Sequence, residues 1–129
     1  MNKAAGRSDS GAASVELALA TPLLGLLLLL IVQFAMWAHA THIAQAAANQ
    51  GVQSARAYGS TPAAGSADAN AILDQMAGSI LVDQTVTAER TTTTATVTVT
   101  GSAAAVLPGL TFPIRVSVTA PRETVPGTP

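Results

Sequence analysis

The chain has 129 residues, with six basic and seven acidic side chains, no cysteine, 49% hydrophobic residues and 3% aromatic ones. So few cations and aromatics supply neither the electrostatic footprint nor the stacking platform that nucleic acid demands. With no cysteine pair there is no disulfide framework, and no glycine-rich phosphate loop, Walker motif or dinucleotide fingerprint calls for a cofactor or small-molecule substrate.

Residues 1–11 carry Lys3 and Arg7 against Asp9 and read as a basic cytoplasmic leader. Residues 12–38 read as a transmembrane helix. From Leu17 to Ala38 the only clearly polar side chains are Thr21 and Gln33. At about 1.5 Å per residue this run spans the roughly 30 Å hydrocarbon core of a bilayer. The remaining chain is too short to surround such a helix in a soluble core. Pro22 and Gly25 are of the kind membrane helices tolerate, and Pro22 is expected to kink the helix rather than end it. Gln33 and Trp37 fit the outer membrane interface, which sets the boundary near Trp37. The first cation after the run is Arg56. The positive-inside rule therefore predicts a single-pass protein of the cell membrane, N-terminus in the cytoplasm and everything after Ala40 outside it.

Residues 39–60 extend the same helix to about Tyr58, because the stretch is rich in alanine and has no proline before Pro62. Within it Ala47, Gly51, Ala55 and Gly59 recur every fourth residue. This is a small-xxx-small stripe that lets a helix or sheet approach the backbone closely; the helix propensity of alanine alone accounts for the same pattern. His39 and His42 read as polar residues of the interface, with no third ligand to complete a metal set.

Residues 61–120 read as a small extracytoplasmic α+β domain. Gly59 to Ser66 is a loop by its Gly, Pro and Ser content. "SADANAILDQMAGSIL" then sets Ala69, Ile72, Leu73, Met76 and Ile80 at helical spacing, with Ser66 as N-cap and Asp68 in the first turn. Beyond Val82 the period becomes two. "QTVTAER" alternates, Ala95, Val97 and Val99 oppose threonines, and Ile114, Val116 and Val118 oppose Arg115, Ser117 and Thr119. Such alternation predicts three half-buried antiparallel strands, whose apolar face needs the Met76 helix or the outer part of the long helix as cover. Ser102 to Pro113 is an apolar loop, available either for subunit contact or for packing on its own sheet. Residues 121–129 read as a disordered tail. The expected fold is thus an α+β membrane protein: a long N-terminal transmembrane helix extending outward, a short amphipathic helix and a small antiparallel three-stranded sheet.

Glu16 is the anomaly, a carboxylate at the front edge of a segment built for lipid. It can snorkel to the headgroups or sit favourably in a helix's first turn. A second reading turns on its distance from Gly11. A cut after Gly11 makes Ala12 the new N-terminus and Glu16 the fifth residue, which resembles the prepilin signal of the type IV pilin superfamily. The run from about Gly11 to Tyr58, with Gly11, Glu16, Pro22, Ala47, Ala48, Gly51, Ala55 and Arg56 at the matching positions, resembles the TadE-like proteins, pseudopilins of the Tad (Flp pilus) assembly system.

That resemblance implies a minor pilin or pseudopilin of a surface pilus or related secretion pseudopilus, with Gly11 and Ala12 flanking the prepilin-peptidase site. It also implies that Glu16 pairs with the freed amino terminus of an adjacent subunit, and that Ala47, Gly51 and Ala55 pack the helix. Implied partners are the membrane, other pilin or pseudopilin subunits, the Tad inner-membrane assembly proteins and the peptidase, with a separate ATPase driving assembly. Leu17 stands where major Flp pilins carry tyrosine, and the chain is longer than theirs, which favours a minor component. No nucleophile elbow frames a serine, so no enzyme activity is expected. Two other functions fit the same residues: an unprocessed bitopic accessory protein, or a secreted binding module released by signal peptidase after Ala40.

Overall fold

The computed structural model describes residues 3–124, with side chains from Gly11 onward. Helix α1 spans Lys3–Arg56 and runs through Pro22 without ending. Its 54 residues reach about 80 Å at 1.5 Å each. It therefore takes in most of the expected leader, where Gly6 and Gly11 weaken a helix by only about 1 kcal/mol each and no proline intervenes. Beyond Arg56 the chain turns back, with the Ser60 amide on the Ala57 carbonyl at 3.0 Å and Gly59 at a left-handed φ of 76°.

Helix α2, Pro62–Met76, starts earlier than Ser66. Thr61 is the N-cap: its hydroxyl accepts from the Ala64 amide at 3.2 Å, and Pro62 follows at the helix start, where its missing N–H costs nothing. Ser66 lies inside the helix and donates to the Pro62 carbonyl at 3.3 Å. Asp68 is likewise beyond the first turn, and its carboxylate accepts from the Ser54 hydroxyl on α1. The buried face of α2 is Gly65, Ala69 and Leu73, continued by Ala77, whereas Met76 is exposed. Gly65 and Ala69 let the first turns of α2 lie close against α1, Leu73 reaches the core in the next turn, and Met76 falls to the side of this face.

Strands β1 (Leu81–Arg90), β2 (Thr94–Ala103) and β3 (Pro113–Pro121) form an antiparallel meander in the order β1-β2-β3. Val97 faces Ala88 on one side and Val118 on the other. A bulge between Val82 and Thr85 places Asp83 at φ 53°, a conformation tolerable for aspartate, and shifts the register there. On the inner face Ala95, Val97 and Val99 are buried together with Ile43, Ala47, Ala48, Val52 and Ala55 of α1 and Leu73 of α2. On the outer face hydroxyls pair across the strands, Thr96 with Thr119 at 2.8 Å and Thr98 with Ser117 at 3.0 Å. Both helices thus cover one face of the sheet, and the other is open.

Residues 121–124 of the expected disordered tail are held to the fold instead. Pro121 closes β3, the Arg122 amide donates to the Thr93 carbonyl at 2.8 Å, and the Glu123 amide donates to the Arg56 carbonyl, also at 2.8 Å. The last carbonyls of a helix lack partners within it, and the returning chain supplies one. Residues 125–129, the rest of that expected tail, lie outside the described residues.

Candidate functional site

From Gly11 to Val32, α1 has almost none of the described residues packed around it. Every residue from Gly11 to Val32 is exposed except half-buried Ala20, and Leu17, Leu19, Leu23 and Leu28 each present more than half of their surface. Apolar surface on all sides of a helix requires an apolar surrounding. The helix is long and apolar enough to cross a membrane. Thr21 fits that setting because its hydroxyl donates to the Leu17 carbonyl one turn back, at 2.8 Å, so no polar group is left unpaired. Gly11, Ala12 and Glu16 all sit at the head of this bare segment, and a side chain at Gly11 would meet nothing.

Ala47, Gly51 and Ala55 lie roughly 45 Å or more further along the same helix, so α1 holds the two sets of candidate residues apart. All three are buried. At Gly51 a Cβ would stand 2.9 Å from the Gly65 carbonyl oxygen, 3.0 Å from the Ala69 Cβ and 3.1 Å from Val97. At Gly65 it would stand 2.7 Å from the Ala55 Cβ and 2.9 Å from the Gly51 carbonyl oxygen. The small stripe is occupied by α2 and β2 of the same chain.

Gln33 has a different environment from the open interface its sequence position suggests. It is 2% exposed. Its amide nitrogen donates to the Ala104 carbonyl at 3.1 Å, and its carbonyl oxygen accepts from the Val106 amide at 2.8 Å. Both bonds reach the loop after β2. One turn on, the Trp37 indole N–H faces the Pro113 carbonyl at 3.4 Å. Leu30, Gln33, Phe34, Trp37 and Phe112 line a groove of about 430 Å³ between helix and loop. The sequence signal for this clamp is a lone amide in an apolar run, which needs a partner once water is gone, and a long uncharged loop that offers backbone groups to it.

Replacing Gln33 with alanine leaves the Val106 N–H and the Ala104 C=O without that partner, a loss of about 1–3 kcal/mol when such groups are buried. The expected result in detergent micelles is faster amide hydrogen exchange at Val106, with the exchange of β2 nearly unchanged.

At the far end of α1 the arginines serve backbone carbonyls. Arg56 donates from Nε to Pro121 at 2.9 Å, Arg90 from Nη2 to Ala57 at 3.3 Å, and Arg122 from Nη1 to Thr91 at 2.8 Å. They tie the chain ends around the helix terminus, where cationic groups are favoured.

The chain thus joins an acid-headed apolar span to a helix packed through alanine and glycine. Residues 11–53 match the family model described as TadE-like protein. The TadE-like segment takes in the bare span and most of the buried half of α1, and stops before α2 and the sheet. The match covers about a third of the chain. Comparison with curated proteins and with solved structures gave no match.

Proposed function

We propose that this chain is a membrane-anchored minor pilin or pseudopilin that takes part in assembling a Tad-type (Flp) surface pilus or a related secretion pseudopilus. The observation that carries the reading is the bare apolar span of α1 with Glu16 at its head, inside the TadE-like segment. Residues 1–11 are the cytoplasmic leader, Gly11 and Ala12 flank the prepilin-peptidase cut, and the sheet lies outside the cytoplasm. The role is structural rather than catalytic. Other pilin or pseudopilin subunits and Tad inner-membrane proteins are its partners, and a separate ATPase supplies the energy.

Lipid surrounds the leucine run before assembly, and neighbouring helices replace lipid within a filament. Glu16 is costly at the edge of an apolar phase until it gains an opposite charge. The amino group freed at Ala12 of an adjacent subunit supplies that charge. The secreted-module alternative is disfavoured by the position of Ala40, which is fully buried in mid-helix. A cut there would also detach Gln33 and Trp37 from the loop they hold.

The deciding experiment is intact mass and terminal sequencing of the protein purified from its native membrane. A start at Ala12 is the expected result. A start at Met1 or at Thr41 would overturn prepilin-type processing, the first leaving a plain anchor and the second a released module.

A further inference from the structure

The loop Ala104–Phe112 lies at the end of the sheet domain nearest the bare span. It meets α1 through Gln33 and borders the groove that reaches down to Leu30. We infer that this loop and the aromatic residues beside it form a second membrane contact, dipping into the acyl-chain boundary of the bilayer next to the anchor helix. The inference rests on the membrane-anchor reading and adds to it how the domain is seated.

The first support is depth. Gln33 follows Glu16 by about 26 Å along the helix axis, less than the roughly 30 Å hydrocarbon core, and any tilt shortens the projection further. With Glu16 held at one boundary of the bilayer, Gln33 falls inside the other. A loop bonded to both ends of the Gln33 amide is carried to the same depth.

The second support is composition. Between Arg90 and Arg115 the chain has no charged residue, and the only side-chain hydroxyl from Ala104 to Phe112 is that of Thr111. Val106 and Leu110 are nonetheless exposed, continuing the apolar surface of the span. Phe34, Trp37 and Phe112 gather here, with the Phe34 and Trp37 rings 6.1 Å apart, and the chain has only one other aromatic residue, Tyr58. Aromatic side chains concentrate at the level of the headgroups.

The third observation sets how deep the loop sits. Irregular backbone enters the hydrocarbon core only where its polar groups are paired, and the amides of Ala105, Leu107, Gly109 and Thr111 have no partner among the described residues, so the loop is seated where headgroups and water can serve them while its paired groups tie it to the fold. The Ala103 amide donates to the Phe112 carbonyl at 2.9 Å, the Ala104 amide to the Ile80 carbonyl at 2.7 Å, and Gln33 engages Ala104 and Val106. Pro108 and Pro113 have no N–H to satisfy. Apart from Gln33, whose amide is engaged by the loop, the groove between helix and loop is walled by apolar side chains, a fit for a lipid acyl chain.

The absence of cysteine makes the test clean. Single variants Val106→Cys, Leu110→Cys, Leu24→Cys and Thr92→Cys of the full chain carry an environment-sensitive fluorophore in phosphatidylcholine vesicles. Lipids bearing a doxyl group near the top of the acyl chain and aqueous iodide are the quenchers. Trp37, the single tryptophan, is a label-free companion reading. Leu24 reports the anchor and Thr92, exposed at the β1–β2 turn, reports water.

The expected result is blue-shifted emission at Val106 and Leu110 with quenching by the doxyl lipid, as at Leu24, while Thr92 responds only to iodide. Loop sites that behave like Thr92 while Leu24 is quenched by lipid would overturn the loop contact and leave the anchor standing. Loop sites shielded from iodide without lipid quenching would also overturn it, in favour of a protein seated on the loop. A Leu24 site that lipid does not quench would remove the anchor reading and this inference with it.

Discussion

Gly65→Leu is expected to undock α2 from α1 and lower the melting temperature of the sheet domain by roughly 15 °C or more. The two helices meet with almost no side chain between them, since even a Cβ at Gly65 would stand 2.7 Å from the Ala55 Cβ and 2.9 Å from the Gly51 carbonyl oxygen. The Gly51 oxygen is backbone in the middle of a long helix and cannot swing aside. Overpacking of a tight contact costs about 1–3 kcal/mol for one or two extra methylenes, and leucine adds more. A domain of this size loses roughly 4–8 °C per kcal/mol.

Gly65→Ala isolates the first contact. Pairing it with Ala55→Gly removes the closest clash and leaves the approach to the Gly51 oxygen, so the double variant is expected to recover part of the loss. Gly25→Leu is the control, because nothing lies within 4 Å of a Cβ there. The measurement is hydrogen exchange across β2 as a function of temperature, since the long helix dominates circular dichroism. A Gly65→Leu protein that melts with the parent would mean that the two helices do not pack at this distance.

Much of this architecture is legible in the sequence, and each departure from expectation has a physical cause. The "TATVTVT" alternation forecasts β2 because the strand is central, with one face on α1 and the other open. β1 is also anticipated, but not its bulge, which depends on a single backbone turn at Asp83. Reading Thr61-Pro62 as loop because it contains proline overlooks that proline is favoured at the first helical position when a capping hydroxyl precedes it. Met76 looks like a core residue by spacing and is 49% exposed, because the buried row of α2 runs through Gly65, Ala69, Leu73 and Ala77 and leaves Met76 to its side. Gln33 illustrates a further limit. Hydropathy locates the span, yet the partner of a buried amide can lie anywhere in the chain, here in a loop beyond β2. The clustering of Gly11, Ala12 and Glu16 at the head of the span is readable directly, since all three lie on one uninterrupted helix.

Glu16→Ala is expected to leave membrane insertion intact and to remove assembled filament. Insertion depends on the apolar run, which the substitution lengthens rather than interrupts. Assembly, on the proposed function, depends on the carboxylate meeting the amino group of Ala12 on an adjacent subunit as lipid gives way to neighbouring helices. Deleting one partner of a desolvated ion pair leaves the other charge unpaired, a cost of about 3–5 kcal/mol. At about 1.4 kcal/mol per decade this corresponds to a fall on the order of a hundredfold or more in the association constant at each subunit contact. Glu16→Gln retains the shape and a hydrogen-bond acceptor without the charge, and should assemble poorly as well. Glu16→Asp retains the charge on a shorter stem and should restore part of the yield. Membrane fractionation and the amount of sheared surface filament, measured side by side, separate the two steps. Filament yield unchanged in Glu16→Ala would rule out the ion pair and return Glu16 to a residue that merely meets the headgroups. Loss of the protein from the membrane fraction would place its role in insertion. Retention in the membrane with filament lost, and partial recovery by aspartate alone, is the pattern that a charge-paired assembly residue produces.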